Sequence, residues 1–389
     1  MLIRLNLIIW ILFLAHSKIY NQELQFGGYT KYLFSSYKFQ NLNENLIDHT
    51  LHSRVNLKLF LNESISFSAG VRNRIIYGES IDKIPDFSKQ ISENDYLLKL
   101  NTFIWNKTKS INFIEVDRAY LDFSYEKVNL SLGRQRIAWG TSLVWNITDL
   151  FNPLSILDFD YEERPASDAV RLQVFPSITS RIDFSLKFGK TRKDFTSAIQ
   201  FYFNKWEYDF YFLVGYHRLR PVIGTSWSGD ISDAGFRGEI LLSTPPGKTD
   251  LQSQNSFLKE KRIQLSAVLS LDYTFSNSLY IHSEAMFNNI GKKDSISLFT
   301  MDAFEIGMLS AARFNLFYQI GYNLSPLTRF DFIILHNPVD NSFVLFPIFN
   351  YSVIENLDLS LISLFFEGEN FDEFGSSGKM IFIRLKYSF

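Results

Sequence analysis

The chain has no cysteine among its 389 residues, which excludes disulfide bonds and thiolate metal ligands. It has no large excess of charge of either sign, since 39 Lys and Arg against 41 Asp and Glu give a formal net charge of −2. Such a balance argues against a nucleic-acid-binding protein. Beyond the N-terminus, no apolar run approaches the ~20 residues that a membrane-spanning helix needs, which excludes a helical membrane protein.

The compact apolar run at the N-terminus has the layout of an export signal. Arg4 supplies a positive charge, Leu5 to Ala15 (LNLIIWILFLA) is apolar, and Ala15-His16-Ser17 offers small residues for cleavage. We therefore expect residues 1–17 to be a cleaved signal peptide and residues 18–389 to form the mature domain. A membrane anchor is the alternative, but the run is short for a bilayer span.

Aromatic residues make up 16% of the chain, yet the mean hydropathy is only −0.04. Apolar and polar residues that alternate along the chain explain how a high aromatic content and a near-zero mean hydropathy occur together. Residues 51–62 (LHSRVNLKLFLN) illustrate this pattern. One face carries Leu51, Val55, Leu57, Leu59 and Leu61, and the other carries His52, Arg54, Asn56 and Lys58. Because strand side chains alternate between faces, this pattern predicts a strand with one apolar and one polar face.

The period of two recurs in about 18 segments between residues 24 and 389, and it is weakest at 221–228. Long connections are expected near 79–111, 140–167, 244–260 and 289–310, alternating with short turns. A soluble β-sandwich is the alternative, but its strands usually have about 5–6 residues. We predict an all-β fold, a transmembrane antiparallel up-and-down β-barrel of about 18 strands with a lumen wide enough for water.

The chain ends on Phe389 after alternating apolar residues, which resembles the signal that the outer-membrane barrel assembly machinery recognises. Residues 133–153 (GRQRIAWGTSLVWNITDLFNP), with their GRQ-x-x-x-WG and NP motifs, resemble a broad group of bacterial porin-like barrels that includes alginate-export-type channels. Ser325-Pro326-Leu327 and residues 336–342 (HNPVDNS) are similar to that group as well.

This resemblance implies a location in the bacterial outer membrane, in contact with its lipids and lipopolysaccharide. It implies a barrel porin or exporter and does not fix a substrate, and our own expectation for the transported partners is small solutes. Porins of this kind are often homotrimers, so the resemblance makes a trimer an expectation.

Several polar strand faces are basic. The candidate pore-lining cations are Arg54, Lys58, Arg72, Arg74, Arg118, Arg134, Arg136, Arg171, Arg181 and Lys187. Strict alternation places Arg134 and Arg136 on the lipid face with Leu130 and Leu132. We favour a β-bulge at Gly133 that turns both arginines inward, because charge on the lipid face is costly. A position at the outer headgroups is the alternative.

The connection at 140–167 is acidic. Its carboxylates are Asp149, Asp158, Asp160, Glu162 and Glu163, followed by Asp168 at the next strand. A loop folded into the lumen would set these carboxylates opposite the arginines and create a constriction with a transverse field. The alternative is a solvated outer loop that binds divalent cations between lipopolysaccharides. Trp139 and Trp145 in this region could stack on sugar rings or sit in an interfacial belt.

Catalytic signals are weak. The sequence has no G-x-S-x-G, H-E-x-x-H or phosphate-loop motif, and Ser283 faces away from His282 and Glu284. We therefore predict no enzyme activity, no cofactor and no metal, and a passive channel for small polar or charged solutes, including saccharides. The alternatives are an exporter or transporter of a polysaccharide or hydrophobic compound, and a non-conducting barrel such as an adhesin, an assembly factor or an outer-membrane enzyme.

Overall fold

The alternating segments form one antiparallel sheet that closes on itself. A computed structural model of the chain describes residues 23–39, 44–153, 165–245, 254–375 and 378–389. Its strands are β1 (Glu23–Lys38), β2 (Leu46–Asn62), β3 (Ile65–Gly78), β4 (Asn101–Lys107), β5 (Ser110–Tyr125), β6 (Val128–Gln135), β7 (Ser167–Ser177), β8 (Ser180–Phe188), β9 (Thr196–Lys205), β10 (Tyr208–His217), β11 (Arg220–Ile231), β12 (Ala234–Ser243), β13 (Gln264–Thr274), β14 (Leu279–Asn288), β15 (Phe314–Ser325), β16 (Thr328–Asn337), β17 (Ser342–Ile354), β18 (Leu357–Glu367) and β19 (Lys379–Ser388).

Closure occurs between the first and last strands. β1 pairs with β2 on one edge and with β19 on the other, where Tyr29 lies opposite Ser388 and Lys38 opposite Lys379. β5 pairs with β3 along one edge, while β6 and β4 share its other edge at different heights. The barrel is therefore a ring of 18 strands, and β4 is an additional short strand. The predicted 18-stranded antiparallel barrel is confirmed.

The two ends of the barrel differ in their connections. At one end, called the short-turn end, tight turns join the strands, and chain positions 206–207 and 232–233 both have positive φ angles, as in the type I′ turns that match strand twist. At the other, long-loop end, the connections span 79–109, 136–166, 244–263 and 289–313, close to the predicted positions. One connection there, Arg218-Leu219, is also a two-residue turn.

Short helices lie in two of these loops. They are α1 (Ser80–Lys83), α2 (Phe87–Ser92) and α3 (Thr300–Glu305), with 3-10 turns at Arg192–Asp194 and Ile296–Phe299. None of the helices in the described part of the chain is both long and apolar enough to cross a membrane.

The predicted faces of the strands match their burial. On β2, Leu51 and Val55 are exposed on the outside of the barrel, whereas His52 and Arg54 are buried inside. The inner face is not uniform around the ring. Strands β1–β8 carry many charged side chains, whereas β10–β19 contribute an apolar band. That band is formed by Leu213, Val222, Leu241, Val268, Met286, Phe317, Leu335, Val344, Phe346, Ile362, Leu364, Phe366 and Phe382.

Candidate functional site: the lumen and its inward loop

The connection after β6 turns into the barrel instead of projecting from it. We call its described part, residues 136–153, the inward loop. Its apolar side chains pack against the apolar band of the wall, and those that are buried are Ile137, Trp139, Trp145, Ile147, Leu150 and Phe151. Because these side chains leave water on packing, the hydrophobic effect holds the loop against one side of the lumen. Residues 136–153 therefore lie inside the barrel, and residues 154–164 of the same connection lie outside the described residues.

A carboxylate of the wall fixes the first part of the loop. Glu239 on β12 is fully buried and accepts hydrogen bonds from the backbone N–H groups of Thr141 at 2.6 Å, Ser142 at 2.8 Å and Thr148 at 2.8 Å. The hydroxyl of Thr148 donates to the same side chain at 2.8 Å. Because these donors converge on one fully buried side chain, Glu239 is a strong anchor.

A second carboxylate, two strands away, fixes the middle of the loop. Glu284 on β14 accepts hydrogen bonds from the backbone N–H groups of Leu143 at 3.2 Å, Val144 at 3.3 Å and Trp145 at 2.6 Å. On β8, Asp183 accepts a hydrogen bond from the indole of Trp139 at 3.3 Å. Side chains of three strands, β8, β12 and β14, therefore hold the loop.

These contacts also define the roles of the two tryptophans. Trp139 is 2% exposed and packs edge-on against Phe151 with ring centroids 4.9 Å apart. Trp145 is 6% exposed and lies edge-on to Phe317 at 6.5 Å. Both rings lie inside the barrel, so they anchor the loop and do not belong to an interfacial belt.

The opposite wall carries a cluster of buried charges. Nη1 of Arg54 on β2 lies 2.5 Å from Oδ2 of Asp117, and Nη2 of Arg72 on β3 lies 2.7 Å from Oε2 of Glu115. Arg118 is adjacent, with Nη1 3.7 Å from Oδ2 of Asp117. Arg54, Arg72 and Arg118 thus meet Glu115 and Asp117 in one cluster on β2, β3 and β5, and Arg74 follows Arg72 on the same face of β3.

A β-bulge makes the cluster possible. The register between β3 and β5 shifts where Gly70 lies opposite Arg118 and Val71 opposite Val116, so Asp117 is the additional residue. This brings Asp117 and Arg118 to the inner side together. A Cβ atom on Gly70 would lie 2.7 Å from Nη2 of Arg54 and 2.9 Å from Oδ1 of Asp117, so the close approach requires glycine here.

Two cavities lie along this basic wall, one towards each end of the barrel. The outer cavity, of about 510 Å³ at the long-loop end, is lined by His52, Arg72, Arg74, Glu115 and Lys187 on the wall and by Phe151 of the inward loop. The inner cavity, of about 460 Å³ at the short-turn end, is lined by Arg54, Lys58 and Arg118 together with Tyr120. The charged cluster lies between them.

The other arginines expected in the pore have different surroundings. Arg171 contacts Asp183, with Nη2 to Oδ2 at 2.5 Å. Arg74 lies over the ring of Phe113 at 5.1 Å. Arg136 is exposed at the start of the inward loop. Asp158, Asp160, Glu162 and Glu163 lie outside the described residues, so the carboxylates that meet Arg54 and Arg72 in the structure belong to β5.

Arg134 is part of the wall. Its Nε and Nη2 atoms donate to the two carboxylate oxygens of Asp168 at 2.7 and 3.0 Å, and its guanidinium lies over the ring of Tyr96 at 4.1 Å. Its Nη1 donates to the carbonyl of Val116 at 2.9 Å. β6 pairs with both neighbours without a register shift, so the bulge that we favoured at Gly133 lies instead in β5. Gly133 does adopt a φ of +125°.

The described residues contain no group of three or more His, Asp or Glu side chains that could hold a metal ion. His282, Glu284 and Ser270 are close together, but Ser270 Oγ and Glu284 Oε2 both lie near the same atom, Nε2 of His282, at 3.0 and 3.5 Å. A proton relay needs a different partner on each imidazole nitrogen. This arrangement therefore does not form a catalytic triad.

No protein-family model matches the sequence, and no curated protein matches it either. Solved structures of outer-membrane porins share the fold. OccAB1 of Acinetobacter baumannii has a TM-score of 0.59 at 9% identity, covering 95% of this chain and 97% of that one. OccAB4 of the same organism has a TM-score of 0.59 at 11% identity, covering 94% and 98%. Salmonella typhi OmpF, in a complex with daunomycin, has a TM-score of 0.52 at 9% identity, covering 95% and 99%.

Proposed function

We propose that this chain is a bacterial outer-membrane channel for passive diffusion of small polar or charged solutes, with a preference for anions. The observation that carries the proposal is the basic wall that connects the outer and inner cavities. The inward loop narrows the lumen from the other side, so a solute passes between the loop and the arginines. The barrel architecture shared with outer-membrane porins supports the location.

The anion preference follows from the charge of the wall. Arg72 and Arg74 line the outer cavity and Arg54 and Arg118 line the inner one, and charges act more strongly in a narrow, partly desolvated passage than in bulk water. Acidic saccharides and organic acids fit this chemistry. The carboxylates at 158–163 lie outside the described residues and stay part of the proposal as its acidic component.

Lipids and lipopolysaccharide around the barrel, delivery by the barrel assembly machinery after removal of residues 1–17, and a homotrimer belong to the same proposal. Each follows from the resemblance to porins and from the apolar outer face of the strands. No catalytic role and no cofactor enter it.

Conductance in planar lipid bilayers tests the channel directly. Under a salt gradient, we expect the reversal potential of the wild-type protein to indicate anion preference. In an Arg72→Gln/Arg74→Gln variant, the anion-to-cation permeability ratio should fall roughly two- to tenfold, because two charges leave the passage. Arg262→Gln, in an exposed outer loop, is the matched control and should leave the ratio unchanged.

Two results would contradict the proposal in different ways. Absence of any conductance in correctly folded protein would favour a non-conducting barrel. Conductance with a permeability ratio that does not respond to the arginine changes would keep the channel and remove the basic wall from the ion path.

A further inference from the structure

A third cavity lies beside the inward loop and adjoins the outer cavity, with which it shares Leu150, Pro153, His217 and Arg218. This side chamber has a volume of about 370 Å³, and its apolar lining includes Trp145, Ile147, Met308, Leu309, Leu335 and Phe366. It lies among the inward loop, the 289–313 connection and the 368–378 connection. Its volume suits one ring-sized solute.

The polar groups in the side chamber are mainly hydrogen-bond acceptors. The carboxylate of Glu373, in the 368–378 connection, lines the chamber and receives hydrogen bonds from Ser310 Oγ at 2.5 Å, Asn315 Nδ2 at 2.5 Å and Asn337 Nδ2 at 2.9 Å. Asn315 also lines the chamber, and its buried Oδ1 atom has no hydrogen-bond partner among the described residues. A buried acceptor without a partner costs free energy, so this atom favours a ligand that donates.

The raised pKa of Glu373 indicates a buried carboxyl group whose ionised form a nearby positive charge would stabilise. Burial raises the pKa of the Glu373 carboxyl to about 7, and the nearby Asp340 raises it further, whereas the bonds from Ser310, Asn315 and Asn337 lower it. The nearest cation in the lining, Arg218, already faces Asp194, with Nη1 3.5 Å from Oδ1. An ammonium group placed beside Glu373 would restore the ionised carboxylate.

Exposed apolar side chains lie in the segment that contributes to the lining of the chamber. Phe304 of α3 lines the chamber and is 42% exposed, and Leu298 and Met301 of the same segment are 60% and 79% exposed. Exposed apolar side chains that lead to a cavity are typical of a binding site. The chamber therefore lies beside exposed apolar side chains of the 289–313 connection at the long-loop end.

From this geometry we infer that the side chamber is a binding site for small organic cations, each an aromatic or branched-alkyl body with one ammonium group. The body packs among Trp145, Leu335 and Phe366. The ammonium donates to Glu373 and to Oδ1 of Asn315. The lining of the site contains none of the arginines of the basic wall, so it takes solutes of the opposite charge, and it does not depend on the barrel conducting ions.

Calorimetric titration of the folded barrel in detergent micelles, at pH 8, tests the inference with three probes of one shape: phenethylamine, 2-phenylethanol and phenylacetate. We expect phenethylamine to bind more tightly than the alcohol and phenylacetate not to bind. Glu373→Gln should weaken phenethylamine roughly tenfold or more, because a charge-assisted contact is lost, and leave the alcohol within about twofold.

Two further variants complete the design. Leu309→Trp, which fills the chamber, should weaken both phenethylamine and the alcohol. Glu369→Gln changes an exposed carboxylate of the same connection and should bind like the wild type. Heat-dependent gel mobility verifies folding of each variant. If Glu373→Gln does not fold, the order of the three probes on the wild type and the effect of Leu309→Trp still decide.

The inference fails if phenylacetate binds as tightly as phenethylamine, or if Glu373→Gln leaves phenethylamine affinity unchanged. If the barrel does not conduct but Glu373→Gln still weakens phenethylamine binding, the proposed channel function is wrong and the binding site is supported. If the barrel conducts but shows no preference among the three probes, the channel is supported and the binding site is wrong.

Discussion

Buried ion pairs decide where individual charged residues sit in this barrel. Arg54 and Asp117 are each 1% exposed, and Arg134 and Asp168 are 1% and 6% exposed. Neither member of such a pair can be removed alone without leaving an uncompensated charge, which typically costs about 3–5 kcal/mol. The two pairs nevertheless differ in function, because Arg54 lines the inner cavity whereas Arg134 secures the segment around Tyr96 and Leu98.

Replacing Arg134 should therefore affect stability and not ion selectivity. We expect Arg134→Gln to lower the free energy of unfolding by about 3–5 kcal/mol, since Asp168 stays buried without its partner. Thermal unfolding followed by circular dichroism measures this effect, with Arg262→Gln as the exposed control. The reversal potential should equal that of the wild type. A change as large as that of the Arg72→Gln/Arg74→Gln variant would place Arg134 in the ion path.

For individual residues of the inner face, some positions can be predicted from the sequence and others cannot. Alternation alone assigns Arg54, Arg72 and Arg74 to the inner face. Arg118 escapes that rule because Asp117 is an additional residue in a bulge, and a bulge is set by pairing with a partner strand. The anchors Glu239 and Glu284 could be placed on an inner face, but their loop partners lie 91 to 141 residues away in the chain, and no local pattern connects them.

The inward loop is the element on which the width of the passage depends. Glu239 and Glu284 accept backbone N–H groups that have no other acceptor in the loop, and a glutamine offers one oxygen and a repelling NH₂ group in place of two oxygens. Leaving such donors unsatisfied costs about 1–3 kcal/mol each. The hydrophobic packing of Trp139 and Phe151 remains, so the loop should loosen more readily than it unfolds.

We therefore expect Glu239→Gln/Glu284→Gln to raise single-channel conductance and current noise in planar bilayers. Glu207→Gln, in an exposed tight turn at the short-turn end, makes the same chemical change away from the loop and should behave like the wild type. Unaltered conductance in the double variant, with folding intact, would mean that the loop's apolar packing alone fixes the passage.

Elements of regular length were predictable, and short ones were not. The membrane-facing pattern is present in each strand of the 18-stranded ring, including β11, where the alternation was weakest. β4 has only seven residues (NTFIWNK) and lies in a stretch that was expected to be a loop. Its formation depends on the free edge of β5 above the end of β6, a feature of the assembled sheet that its own sequence does not encode.

Closure of the whole barrel depends on the pairing of its last strand, β19, with its first, β1. We call this pairing the seam. Phe389 lies at this seam. Its N–H donates to the carbonyl of Gly28 at 3.0 Å, its carbonyl accepts from the N–H of Gly28 at 2.9 Å, and its ring stacks on Phe26 with centroids 5.7 Å apart. A side chain on Gly28 would place its Cβ 2.1 Å from the carbonyl oxygen of Arg54, so glycine is required there.

The terminal ring can act in assembly in two ways, as a signal for the assembly machinery and as a lock on the seam. We expect Phe389→Ala to reduce the fraction of heat-modifiable, folded barrel in cell membranes several-fold, because the stacking of its ring on Phe26 is lost. Phe371→Ala, at an exposed aromatic of the 368–378 connection, is the matched control and should assemble normally.

Refolding of purified protein into detergent separates the two roles. If Phe389→Ala refolds as well as the wild type in detergent but fails in cells, the ring acts as a signal; if it fails in both, it locks the seam. Normal assembly in both settings would remove Phe389 from barrel formation and leave closure to the pairing of β1 with β19 alone.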